Sequence, residues 1–223
     1  MNLLEKIHGS YVYNRRVSVL TRELSAPLPA NGQVLDVGCG DGLLSALMQK
    51  EKPNVVITGI DVLVRDHTHI TVVKFDGTTI PFPDRSFDTV VFVDVLHHTN
   101  DPMLLLREAA RVARDTILIK DHTLDGFAAG ATLRFMDRIG NRRYNVALPY
   151  NYWPKQRWLN AFETLGVTLR TWKSKLDLYP RFVDWFVGRS LHFIALLGIP
   201  SETSIQHDKI QTERAIWVTS TYS

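Results

Sequence analysis

Three glycines alternate with other residues in Asp36-Val37-Gly38-Cys39-Gly40-Asp41-Gly42, directly after an apolar run. Glycines spaced this closely let a ligand meet backbone that any side chain would hold away. A phosphate would use the amide donors of such a turn, but the carboxylates Asp36 and Asp41 would repel it. A phosphate-binding loop also needs Lys and Ser or Thr after its last glycine, and a dinucleotide turn needs glycine where Leu43 stands. A cationic ligand suits the turn better. Further along lie Asp61, Asp76, Asp94 with His97 and His98, and Asp121 with His122, residue types that accept hydrogen bonds or carry protons near neutral pH.

These residues sit at the ends of apolar runs. QVLDVG (33–38), NVVITGID (54–61), ITVVKFDG (70–77), SFDTVVFVDVL (86–96) and DTILIKDHT (115–123) read as strands. Helical spacing marks about 13–24, GLLSALMQKEK, DPMLLLREAARVA with its Asp101-Pro102 start, LDGFAAGATLRFMDRIG and PKQRWLNAFETLG. VTLRTWKSKLDLY reads as a sixth strand running into a loop, SLHFIALLGI as a seventh, and AIWVTSTYS as a possible further edge. Continuously apolar strands alternating with helices predict an α/β fold, a Rossmann-like three-layer α/β/α sandwich. Its sheet would have seven strands, mostly parallel with an antiparallel last strand, and ligands beyond their carboxyl ends. Only VLVRDHTH separates the second and third strands, so the second crossover helix is expected to be reduced.

The glycine motif resembles motif I of the class I S-adenosylmethionine-dependent methyltransferases, and the strand ends resemble that family's pattern over 33–123. PFPDRSFD and Asp94-Val95-Leu96-His97-His98 look most like the type 11 branch, which contains many small-molecule and quinone methyltransferases. The resemblance implies S-adenosylmethionine as cofactor. Asp36, Gly38, Cys39, Gly40 and Gly42 would meet its methionine portion, and Asp61 its ribose hydroxyls. Val62 or Leu63 would lie on the adenine, Asp76 and Gly77 beside the adenine amino group, and Asp94 and Val95 at the methionine end. Tyr13 or Arg16 would reach the carboxylate from an N-terminal cap. His97, His98 and His122 are the candidate catalytic residues, needed as bases when the acceptor is a hydroxyl. The expected reaction is methyl transfer to oxygen or carbon of a small, apolar or aromatic acceptor; the alternative is a non-catalytic S-adenosylmethionine-binding sensor or scaffold.

Plainer readings stand beside these. The glycines could serve a tight turn alone, Asp61 and Asp76 could be caps, and the histidine pair could pack. His67 and His69 with Asp66 have H-x-H spacing without a second Cys or His cluster, so no metal is expected. The aromatic concentration from Tyr144 to Phe186 is core, acceptor lining or both, and YPRFVDWFVGR combines residues found at membrane surfaces.

The 223 residues carry a formal charge of +3, with 45% hydrophobic and 22% charged residues, ordinary for one globular domain. That domain divides into an N-terminal helical cap (1–30), a cofactor-binding core (31–123) and an acceptor side (124–223). No nucleic-acid module is apparent, so neither DNA nor RNA is an expected partner. Cys39 is the lone cysteine, which excludes an internal disulfide. No leader pattern is read at the start and no window nears the roughly 18 apolar residues of a membrane span, so a cytoplasmic location is expected.

Overall fold

The computed structural model describes residues 3–126, 128–140, 149–179 and 191–200. The expectations for YPRFVDWFVGR beyond Tyr179, for Tyr144 and for AIWVTSTYS lie outside them. Seven strands form one sheet: β1 (Gly32–Val37), β2 (Val55–Asp61), β3 (Val72–Lys74), β4 (Phe87–Val93), β5 (Ala113–His122), β6 (Thr168–Lys173) and β7 (His192–Gly198). Their order is β3-β2-β1-β4-β5-β7-β6, and only β7 runs antiparallel to its neighbours. The helices are α1 (Leu3–Ser25), α2 (Leu43–Glu51), α3 (Pro102–Val112), α4 (Ala129–Gly140) and α5 (Lys155–Thr164), with a 3-10 turn over Leu96–His98.

Period-two alternation divides each central strand between two cores. Leu35, Val90, Ile117 and Phe193 belong to the core that α3 and α5 cover with Leu105, Leu106, Trp158 and Phe162. Val34, Val91, Leu118 and Ile194 belong to the other, closed by Val19, Leu20 and Leu24 of α1 and Met48 of α2. The three layers follow from that alternation. Asp101 starts α3 as expected, its side chain accepting from Met103 N at 3.0 Å with Pro102 at the first position.

The strand boundaries show where long-range contacts override local pattern. The third strand is shortened to three residues, which leaves Asp76 in the turn beyond it. The helix expected from Leu124 begins at Ala129, because Gly126 has φ +108° and Asp125 accepts from Lys155 N at 2.8 Å. Residues 62–71 hold no helix, as the short spacing required, and neither do 75–86. The edge of the sheet is correspondingly bare, with Val56 50% exposed and Val73 37%.

Arg111 takes over the work of a helix in the second of these connections. Its guanidinium donates to Ile80 O at 2.9 Å, Phe82 O at 2.8 Å, Asp84 Oδ1 at 2.8 Å and Glu108 Oε2 at 2.6 Å. Glu108 Oε2 in turn accepts from Ile80 N at 2.9 Å. A planar five-donor group can hold this loop, whereas an ammonium cannot span it. Arg111→Lys is therefore expected to cost roughly 1–2 kcal/mol. Urea unfolding should show a lower midpoint at unchanged slope; an unchanged midpoint would mean that the loop holds itself.

Candidate active site

Strand β1 delivers the chain into the glycine turn, which Ile60 O anchors by accepting from Gly38 N at 2.7 Å and Cys39 N at 3.2 Å. The three glycines have different reasons to be glycine. All three have left-handed φ, and a side chain at Gly38 would in addition strike Val95 and one at Gly42 would strike Ile70. At Gly40 the backbone has φ +60° and nothing lies within 4 Å of where a Cβ would be. That open position is where a ligand can approach. Cys39 is half-buried beside Gly59, and burial pushes its thiol up, away from reactivity.

Carboxylates surround the turn. Asp61 accepts from Gly40 N at 2.8 Å through one oxygen and from Leu63 N at 2.9 Å through the other. Each oxygen keeps a second lone pair, so the group can still receive two hydroxyls. Asp36 is buried, and its Oδ2 accepts from Ser45 Oγ at 2.5 Å while its Oδ1 has no partner. Burial pushes the Asp36 carboxyl up to about 6, against the Ser45 hydrogen bond and with help from Asp61. An orphaned buried carboxylate oxygen beside an open glycine suits a cation. Asp76 is engaged locally: its Oδ1 accepts from Thr78 N, Thr78 Oγ1 and Thr79 N at 2.7–2.8 Å, and these bonds lower its proton affinity. Gly77 lies 3.1 Å, measured from an added Cβ, from Val62, which with Leu63 remains about half exposed. Asp41 caps the start of α2 by accepting from Leu43 N at 3.0 Å.

Asp94 leaves β4 in the left-handed region, at φ +56°. Arg16 of α1 and Lys120 of β5 both pair with its carboxylate. Burial opposes its ionisation, but these two cations hold it well below the usual carboxylate range. The N-terminal helix is thereby tied to the end of β4. Val95 packs on the glycine turn and Tyr13 is 54% exposed on α1.

The imidazoles expected at the strand ends come together, but they are not equivalent. His97 is buried; its Nδ1–H donates to Asp121 Oδ1 at 2.6 Å and its Nε2 lies 3.3 Å from Asp137 Oδ2, to which Tyr152 OH also donates. Burial disfavours the His97 cation, yet the two carboxylates outweigh it and push the ring up to about 10. His97 therefore rests charged, which corrects its expected role as an uncharged base. The His98 ring lies 4.0 Å from it, tilted by 49°, and burial and the His97 charge lower its proton affinity. His122 and His192 follow at 4.7 Å each, both uncharged through burial and the nearby Lys120.

Sequence reasoning named His97, His98 and His122, with Asp121 among the strand-end residues, but missed Asp137, Tyr152, Lys120 and His192 around them and Ser45 beside Asp36. Lys120 and Asp121 carried a signal, being charges inside the apolar run ILIKDH. Asp137 stands four residues after Leu133 on the buried face of α4. The atoms of His97, His98 and Asp137 lie within 4.8 Å of one another, a spacing that a shared hydroxyl or a cation could fill. His67 and His69 are exposed. Much of the aromatic concentration is core, Trp153, Trp158 and Phe162 among them.

The His97 charge has a consequence for stability. Its folded proton affinity exceeds the unfolded value, so its contribution is complete below about pH 6.5 and is lost as pH rises through about 10. Asp121→Asn should cost about 3 kcal/mol at pH 7 by leaving a buried ring without its counter-ion. The gap from the parent protein should narrow toward pH 10 in denaturant titrations. A gap independent of pH would contradict the charge assignment.

Comparison with known proteins agrees with this geometry. A family profile described as "Methyltransferase domain" matches residues 10–171. The 27-O-demethylrifamycin SV methyltransferase of Amycolatopsis mediterranei is 34% identical over 101 residues, 40% of this chain and 37% of that protein. The ubiquinone biosynthesis O-methyltransferase of Histophilus somni is 33% identical over 98 residues, 35% and 40% of the two chains. The matched stretches thus span well under half of these relatives. A methyltransferase structure from Thermotoga maritima superposes with TM-score 0.60 at 15% identity, covering 89% of this chain and 96% of its own, and shares the fold. By the profile match, the sheet topology and the strand-end carboxylates, the chain belongs to the methyltransferase-domain family and has the Rossmann-like class I S-adenosylmethionine-dependent fold.

Proposed function

We propose that the protein transfers a methyl group from S-adenosylmethionine to an oxygen of a small-molecule acceptor. The observation that carries this reading is the turn itself: Gly40 open to a ligand, Asp61 bonded to its amide, and Asp36 Oδ1 buried without a partner. When bound, the cofactor supplies an electrophilic methyl group on a cationic sulfur. Asp36 faces the cationic methionine end across Gly38, Cys39, Gly40 and Gly42. Asp61 receives the ribose hydroxyls, while Val62, Leu63, Asp76 and Gly77 bracket the base. Asp94 and Val95 form the floor near the methionine, and Arg16 and Tyr13 close over it from α1, with Arg16 shared between Asp94 and the cofactor carboxylate.

Oxygen is favoured over carbon by the acceptor side. A buried His–Asp pair next to an uncharged, partly buried imidazole is proton-handling machinery that a scaffold holding a nucleoside would not need. Two of the relatives are also named for O-methylation, of a rifamycin and in ubiquinone biosynthesis. His98 is the base in this reading, and His97 and His122 orient the acceptor. Acceleration comes chiefly from alignment of the reactants and exclusion of water.

Titration calorimetry with S-adenosylmethionine tests the first half, and formation of S-adenosylhomocysteine with candidate acceptors the second. Failure to bind would end the proposal. Asp61→Ala should weaken binding at least tenfold by removing the diol acceptor; equal affinity would exclude that role. Binding should also depend on Asp36. Its empty-state value of about 6 means that a cation must find the carboxyl ionised, so affinity should fall about tenfold from pH 7 to pH 5. Asp36→Asn should bind more weakly and without that slope, and a slope that persists would place the titrating group elsewhere.

A further inference from the structure

The four imidazoles form a ladder, His98, His97, His122 and His192, whose neighbouring ring centroids lie 4.0–4.7 Å apart. Its two ends differ in charge. Lys120 Nζ stands 3.3 Å from His192 Nδ1 at one end, while the carboxylates of Asp121 and Asp137 flank His97 toward the other. That second end has the donor types of a metal centre. One donor each from His97, His98 and Asp137 lies within 4.8 Å of the others, brought together from the 3-10 turn and from α4. Three details separate this cluster from an ordinary ion pair. His97 Nδ1 lies 2.6 Å from Asp121 Oδ1, but its Nε2 faces Asp137 Oδ2 at 3.3 Å, outside hydrogen-bond geometry. A charge-assisted hydrogen bond closes to about 2.7–2.9 Å. Two donors on one tetrahedral zinc ion, each at about 2.0–2.1 Å from it, stand about 3.3–3.4 Å apart. Next, both members of that pair are braced from behind. Asp121 accepts from the Leu96 and His122 amides at 3.1 and 2.7 Å, and Tyr152 OH donates to Asp137. A carboxylate behind a ligating imidazole fixes its tautomer and aims its other nitrogen, and ligating carboxylates are hydrogen-bonded in turn. Last, His98 Nδ1 is buried without a hydrogen-bond partner among the described residues.

We propose that His97, His98 and Asp137 bind a divalent transition ion of the zinc class, with water in the fourth tetrahedral position. Two imidazoles and one carboxylate select zinc over magnesium, which takes oxygen ligands. The ion displaces the proton that His97 otherwise carries, so the flanking carboxylates keep a counter-charge with either occupant. His97 and Asp137 already stand at ligand spacing, and His98, the less buried of the two rings, closes the set. The site stands on these contacts and does not depend on the methyltransferase reading. For the function proposed above it has one consequence. An imidazole bound to a metal through one nitrogen keeps its proton on the other, so the loaded protein has no base at His98. Zinc also ties α4 to the turn after β4.

The full chain, stripped with a chelator, loaded with excess zinc and passed through gel filtration, should retain about one equivalent of the metal. Cobalt in its place should give the visible absorption of a tetrahedral site, and magnesium should not be retained. His98→Ala and Asp137→Asn should each weaken zinc at least tenfold, and Asp121→Asn, which leaves all three ligands in place, about tenfold. His67→Ala combined with His69→Ala removes the exposed H-x-H pair and should leave the affinity unchanged. Circular dichroism of each metal-free variant checks folding, and His98→Ala carries the test if Asp137→Asn does not fold. Amide exchange in α4 should slow at least tenfold on loading, and the His98 ring nitrogens should cease to titrate. Failure to retain zinc and cobalt overturns the proposal, as does zinc affinity that survives His98→Ala or is lost with the His67 and His69 pair. Displacement of zinc by magnesium overturns the assigned metal class. Unchanged exchange overturns the tie to α4, and a ring that still titrates overturns the loss of the base. Calorimetry with S-adenosylmethionine on the metal-free chain keeps the two readings apart: its failure removes the methyltransferase reading and leaves the zinc site, and failure of zinc binding does the reverse.

Discussion

Parallel strands bring Asp36, Asp61, Asp94 and Asp121 to one edge of the sheet, in or just after β1, β2, β4 and β5. Like charges in a partly buried row cannot persist uncompensated, and each carboxylate here has a different remedy. Asp61 is held by two backbone amides and Asp94 by two cations. Asp121 accepts from the Leu96 and His122 amides and from the His97 ring. Asp36 has one hydroxyl and keeps a buried oxygen without a partner. The four carboxylates are thus compensated to different degrees, and Asp36 is the one left with an unpartnered oxygen.

The same compensation sorts the imidazoles. Two carboxylates make His97 a fixed cation, and that cation discourages protonation of the neighbouring His98 ring. Lys120 does the same to His122 and His192 from the other end of the ladder. One cluster drawn from the 3-10 turn, β5 and β7 therefore carries a charged imidazole beside neutral ones. Burial alone would have made all four neutral.

Around the edge strands the structure is economical. Two connections flank β3 and neither contains a helix, so their polar backbone needs other partners. Between β3 and β4 the Arg111 guanidinium supplies them; between β2 and β3 the His69 amide donates to Asp41 O and Thr71 O accepts from Gly59 N, each at 2.8 Å, while Ile70 packs against Gly42 and Gly59. Bare valines on the outer strands are the visible cost.

Residue order alone determined the alternating strands and helices, the parallel sheet, the glycine turn and the placing of carboxylates at strand ends. Those features follow from local periodicity and from the geometry of parallel strands, which sends every carboxyl end to one edge. The missing second crossover helix was legible for the same reason, since VLVRDHTH is too short to hold one. Tertiary structure decided that Gly40 stands in open space while Gly38 and Gly42 pack against Val95 and Ile70. It also paired Arg16 and Lys120 with Asp94 and brought Asp137 and His192 to His97 and His122 from distant elements. Proton affinities belong to this second category, because a histidine's charge depends on neighbours that only folding supplies.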